Sequence, residues 1–265
     1  MPRSREMSEE CNPRVLGAPE AQVVQTKEID FEQPLLVCCF PSAGVVGTIA
    51  ANTLIEQFEM EEMAHLRSRY IPSAAIFMDG RLRHPFRIYG DRKRKLLVVT
   101  TELPVQEMGL YAVSSALLDW AAGVGVKETV VLDGIPVEGL PSNRKVLFAA
   151  EEEKIPELSR DEGMEILSKG IISGIAGSIL SETMCREMVG FALLTPAIAV
   201  VPDPEGAVQL LEALNRLYNL DVPLKELIES GEQIRKKMEE VAQQVEGMRR
   251  QMPRPSQSGY ERMYA

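Results

Sequence analysis

Cysteine and histidine, the residues that most often carry metals and nucleophiles, are scarce in this 265-residue chain, which has four of the first and two of the second. The cysteines are Cys11, Cys38, Cys39 and Cys185, and no CxxC pair occurs among them. With only His65 and His84 beside them, neither a zinc site nor a Cys–His catalytic pair is expected. Metal and cofactor are both expected to be none. Long apolar runs are missing too, none approaching the roughly 20 residues that span a bilayer. Met1 to Glu10 is polar and charged and lacks the apolar stretch of a signal peptide, so the expected location is cytoplasmic, with no membrane partner. Positive charge is in deficit. A net charge of −10 argues against a general nucleic-acid binder.

What is present is ordinary for a folded protein: 45% hydrophobic and 26% charged residues. Leu35–Phe40 is a continuous apolar run, as in a strand buried on both faces. Cys38 and Cys39 lie within it, and alternation sends them to opposite faces as reduced core thiols. Pro41-Ser42-Ala43-Gly44 breaks the run, and a helix follows over about 45–59. Further strands are expected at about 64–70, 74–78, 128–133, 145–150 and 191–200. Residues 83–101 read as a hairpin turning at Gly90-Asp91. Helices are expected at about 107–122, 174–188 and 204–218, and residues 134–143 as a Gly- and Pro-rich loop. Strands alternating with helices predict an α/β fold, a mostly parallel sheet flanked by helices.

The pattern changes near Pro223. Leu224, Leu227, Gly231, Ile234, Met238, Val241, Val245 and Met248 alternate three and four residues apart. That is the seam of a heptad helix, and it predicts self-association through Leu227, Ile234, Met238, Val241 and Val245. One amphipathic helix packed on its own domain is the other reading. Pro253 and Pro255 end the helix. The stretch around them is basic: Arg249, Arg250, Arg254 and Arg262 stand against Glu261 alone in residues 249–265. It closes on Met263-Tyr264-Ala265, hydrophobic, tyrosine, any residue, then a carboxylate. The ring offers apolar area and a hydroxyl, and a carboxylate pairs with a lysine in a partner's pocket. The organisation expected is thus a flexible leader at 1–25, an α/β domain at 26–222, a heptad helix at 223–250 and a docking tail at 251–265.

Three constellations compete as sites. Phe40 to Gly47 joins strand to helix, where backbone amides can hold an anion, although its glycine spacing matches neither a Walker loop nor a dinucleotide fingerprint. Glu102 and Asp133 fall at strand ends, and with Gly44 they outline the pocket of a phosphorylase-like or hydrolytic enzyme. No nucleophile–histidine couple accompanies them, so no catalytic residue is assigned. Arg81, Arg83, Arg87, Arg92, Lys93, Arg94 and Lys95, with Phe86 and Tyr89 interleaved, read as an edge hairpin whose charge discourages strand-to-strand aggregation.

The strand-turn-helix Phe40-Pro41-Ser42-Ala43-Gly44-Val45-Val46-Gly47, the strand end Thr100-Thr101-Glu102 and the loop Asp133-Gly134-Ile135-Pro136 occur in an order that resembles the archaeal branch of the proteasome assembly chaperone family, over about residues 30–220. The resemblance implies a fold similar to that of purine nucleoside phosphorylases without enzyme activity. It also implies a homo-oligomer, with a tetramer or pentamer plausible. Proteasome-binding regulators of that kind often end in hydrophobic–tyrosine–any residue, which Met263, Tyr264 and Ala265 match. The resemblance therefore implies a chaperone, activator or adaptor cap, with the proteasome core particle α-ring as partner. Its tails would insert between α subunits, where a lysine receives the carboxylate.

Overall fold

A computed structural model describes residues 19–231 except Asp79 and Ser142. Its centre is the apolar strand β2 (Leu35–Cys39), whose five residues are all buried. Strict alternation divides them between two cores. Leu35, Val37 and Cys39 join one cluster, and Leu36 and Cys38 join the other. Burial pushes both thiols well above the ordinary cysteine range, so they remain unreactive.

The strands around β2 are β1 (Ala21–Gln25), β3 (Glu61–Ser68), β6 (Phe86–Asp91), β7 (Leu96–Thr101), β8 (Glu128–Val137), β9 (Val146–Ala150), β10 (Met164–Ile166) and β11 (Gly190–Ile198). They form one sheet in the order β1-β3-β6-β7-β2-β8-β11-β9-β10. A separate ribbon pairs β4 (Ile76–Met78) with β5 (Arg81–Arg83). Helices α1 (Val46–Gln57) and α5 (Pro204–Tyr218) cover one face, through Val46, Ala50, Leu54, Ala207, Leu210 and Leu214. Helices α2 (Leu110–Gly123) and α4 (Gly174–Cys185) cover the other, through Val113, Leu117, Ala121, Ala176 and Ile179. The short α3 (Ile155–Leu158) follows β9. Among the described residues no helix is long and apolar enough to cross a membrane.

The expected α/β layering is present, but the sheet is mixed. Strands β7, β2, β8 and β11 run parallel at its centre, whereas β1, β3, β6 and β7 pair antiparallel. The reason is connection length. A four-residue turn, Arg92 to Lys95, joins β6 to β7, and so short a link permits only antiparallel pairing. That turn sits two residues beyond the Gly90-Asp91 position expected for it. Three other expectations change. Residues 21–25 are strand β1, paired to β3 from Ala21↔Ser68 to Gln25↔Ala64, and are not loose leader. Residues 134–137 continue β8 beside β11 and are not loop. The basic hairpin β6–β7 is interior, with β3 and β2 at its sides.

Four of the seven basic residues in this stretch are paired within the chain. Arg83 pairs with Glu62, Arg87 with Glu102, Arg92 with Asp30, and Arg94 with Asp91. Arg94 also lies 3.6 Å above the Phe58 ring. Three of these pairs satisfy buried or half-buried groups and that of Arg92 lies at the surface, so the cluster does not sit at a sheet edge to protect it.

Candidate functional site

Open α/β sheets place ligands outside the carboxyl ends of their parallel strands. Here register sets Cys39 of β2 level with Thr100 of β7 and Leu132 of β8. Asp133 in turn is level with Leu194 of β11. Ser42, Glu102 and Asp133 therefore issue from one edge of the sheet. Gly44 sits in the turn above it.

The turn is tightly built. Gly44 and Val45 both adopt left-handed backbone, with φ of 63° and 45°. A Cβ at Gly44 would lie 2.9 Å from the Cβ atoms of Ala197 and Asp203, so glycine suits both the conformation and the space. Val45 is β-branched, and its left-handed φ is strained. The surroundings hold it there. The Asp203 N–H donates to the Gly44 carbonyl at 2.9 Å. The Asp203 carboxylate accepts from the Gly206 N–H at 2.9 Å, capping α5. Arg144 grips the same carboxylate with two bonds, at 3.1 and 2.5 Å, and donates to the Thr195 hydroxyl at 3.0 Å. One buried ion pair thus ties the strand-to-helix turn, β11 and α5 together.

Two backbone donors of the turn are already committed: Val45 N–H to the Ser42 carbonyl, and Val46 N–H to the Ala43 carbonyl. This removes much of the anion cradle that the strand-to-helix junction suggested. Gly47 permits close approach of α1 to the sheet, because a Cβ there would meet the Leu132 carbonyl at 2.7 Å.

The strand-end carboxylates are held apart in separate partnerships. Asp133 accepts from the Ser42 hydroxyl and from the Gly134 N–H at 2.8 Å. Burial raises its pKa above the ordinary carboxylate value, and these two hydrogen bonds oppose the rise. Glu102 pairs with Arg87, which is 1% exposed and donates also to the Tyr89 hydroxyl at 2.8 Å and the His84 carbonyl at 2.5 Å. Burial works against the Arg87 cation, but the pairing with Glu102 outweighs it. The two histidine rings face each other at 3.6 Å and 6°. Among the described residues no group of three or more metal-ligating side chains converges. Geometry therefore brings Ser42 to Asp133 and directs Glu102 to Arg87.

Of the residues assigned to self-association, Leu227 packs with Leu224 against the α1–α5 core of its own domain. Ile234, Met238, Val241 and Val245 lie outside the described residues, as do Met263, Tyr264 and Ala265.

The PAC2 family pattern matches residues 36–242. The chain belongs to the PAC2 family. Its structure is similar to a Thermoplasma acidophilum protein of unknown function, at 32% identity and a TM-score of 0.71, over 83% of this chain and 90% of the other. This PAC2 chain also shares its fold with Pyrococcus furiosus PbaA, an archaeal homolog of proteasome-assembly chaperone, at 24% identity and a TM-score of 0.78 over 88% and 96% of the two chains. Pyrococcus furiosus PbaB, an archaeal proteasome activator, matches at 24% identity and 0.75 over 86% and 100%. By sequence, an uncharacterized Methanocaldococcus jannaschii protein is 25% identical over 221 residues, 83% of this chain and 90% of that protein.

Neither the Arg144–Asp203 tie nor the histidine stack is legible in the local sequence. Asp203-Pro204 carries a helix-start signal, an N-cap aspartate before proline. Arg144 stands at the end of a Gly- and Pro-rich stretch, where nothing local announces its partner. His65 and His84 are nineteen residues apart and meet because β6 returns antiparallel beside β3, with His65 level with Arg87.

Proposed function

We propose that this PAC2 protein is a homo-oligomeric, non-enzymatic proteasome-binding protein that docks its C-terminal tails into the α-ring of the core particle. Its action there would be that of an assembly factor, activator or adaptor cap. The observation that carries this reading is a fold shared with PbaA and PbaB over nearly the whole of those chains, joined to the Met263-Tyr264-Ala265 ending. The α/β domain and the heptad seam at Ile234, Met238, Val241 and Val245 fix how many tails there are and how far apart they stand.

One short tail binds weakly. Tails tethered in one oligomer act at high effective concentration and raise avidity on the order of 10²–10⁴-fold. Tyr264 is the anchor, a rigid aromatic with a polar tip. Met263 supplies neighbouring apolar contact, and Ala265 carries the carboxylate for a lysine in the pocket. The engaged states of Glu102 and Asp133 favour this reading over a phosphorylase or hydrolase at the strand ends. Deleting residues 263–265, or extending the chain past Ala265 with a tag, is expected to abolish core-particle binding and leave the oligomer intact. Unchanged binding would overturn the proposal.

A further inference from the structure

The C-terminal ends of α4 and α5 reach a groove of about 740 Å³ at the amino ends of the parallel strands, opposite the edge described above. Helix C-termini carry partial negative charge. Glu151, Glu153 and Glu187 add three exposed carboxylates at the rim, and none has an ion-pair partner among the described residues. Two lysines oppose them. Lys154 is already paired with buried Glu128 at 2.5 Å and with Glu157 at 2.7 Å, which leaves Lys127 to offset the rim.

The floor of the groove is apolar. Met184 and Val189 remain 53% and 47% exposed there, beside half-buried Met188 and Leu217. Apolar area ringed by negative charge favours a segment that carries both large apolar side chains and Arg or Lys. A purely apolar segment would desolvate the carboxylates without pairing them, and an acidic one would be repelled. The volume takes a few side chains, not a whole helix. An amphipathic helix with apolar anchors at i and i+3 or i+4 and basic neighbours has the matching form.

The groove also has a definite place relative to the end of the chain. Gly231, the last described residue, lies against Pro204 at the start of α5, beside the Asp203–Gly44 contact of the carboxyl edge. The groove touches Leu217 and Tyr218 at the far end of that helix, about 22 Å away.

We propose that this groove docks a basic amphipathic segment of a second protein, with apolar side chains on Met184 and Val189 and Arg or Lys side chains paired with Glu151, Glu153 and Glu187. The docking stands independently of the proteasome reading. Its consequence rests on that reading: while the tails hold the α-ring, the groove carries the second protein, as an adaptor would.

Fluorescence anisotropy on the full chain tests the docking without any proteasome. The probe is a labelled peptide of about fourteen leucine and lysine residues, with the leucines at helical spacing. At about 0.05 M salt, Glu153→Lys/Glu187→Lys is expected to weaken its binding about tenfold. Glu107→Lys/Glu138→Lys makes the same charge change on exposed residues after β7 and β8, at the other edge, and should weaken it about twofold at most. On wild type, a peptide with serine in place of leucine should bind about tenfold more weakly than the parent. A leucine–glutamate peptide should prefer the groove variant to wild type. Equal weakening by the two charge pairs, or equal binding of the leucine-free peptide, would overturn the proposal, because only a general attraction to an acidic protein would remain. Peptide affinity that rises in Arg249→Glu/Arg250→Glu/Arg254→Glu would overturn it in favour of the chain's own tail. A changed oligomeric state in the groove variant would overturn it in favour of a second copy.

Discussion

The chain's two imidazoles lie face to face, and one of them is poorly placed to accept a proton. His65 is 8% exposed and its Nδ1 has no hydrogen-bond partner. Burial lowers its pKa below the ordinary value, His84 and Arg67 push the same way, and Glu62 opposes them. The folded state therefore prefers neutral His65. Below about pH 6.5 the unfolded chain binds a proton that the folded chain resists. Stability should then fall as pH drops from the ordinary histidine value through the depressed one. His65→Phe keeps a ring against His84 and removes the titration. Urea midpoints at pH 7.5 and 5.5 should differ less in this variant than in wild type, and equal differences would exclude His65 as the cause. Glu102 makes a second case. As a catalytic acid, its amide would lose activity at constant stability. As the partner of buried Arg87, Glu102→Gln should cost about 2–4 kcal/mol in urea unfolding, because a cation is left with less compensation.

At the scale of elements, the buried runs were legible because apolar strands and 3.6-residue periodicity are local. Leu35 to Cys39, Val46 to Gln57, and Pro204 to Tyr218 fall where hydrophobic pattern and helix punctuation put them. The hairpin of residues 83–101 was legible, but its place inside the sheet was not. Strands β6 and β7 pair antiparallel across a tight turn and are buried throughout, because β3 and β2 flank them. Strand β1 was hidden for the opposite reason. Ala21 to Gln25 is a half-exposed edge segment, and pairing with β3 orders it more than its own sequence does. The turn from Phe40 to Gly47 was legible in part: its glycines signalled close approach, while the clamp from Asp203 is a contact across more than 150 residues. Gly47→Ala tests that approach. Its Cβ would meet the carbonyls of Leu132 at 2.7 Å and Phe40 at 3.0 Å, both backbone atoms that cannot rotate away. A loss of about 1–3 kcal/mol is expected from thermal or urea unfolding, against the usual gain when glycine becomes alanine within a helix.

For the whole molecule, the question is how tail number converts into binding. The docking ending proposed at Met263, Tyr264 and Ala265 is legible only as a sequence pattern, and it lies outside the described residues. Leu227 adds a constraint: it packs on its own domain, so the seam proposed for self-association must begin beyond it, at Ile234 or later. Substituting Ile234→Glu with Val241→Glu puts like charges into the proposed seam while leaving the described domain and the last three residues untouched. If the seam sets the oligomer, light scattering should report monomers, and core-particle affinity should fall on the order of 10²–10⁴-fold because avidity is lost with every tail still present. A synthetic peptide of residues 249–265 should then bind the core particle about as weakly as the monomer does. Should the variant stay oligomeric and bind normally, self-association belongs to the α/β domain, and residues 232–248 serve as a spacer between that domain and its tails.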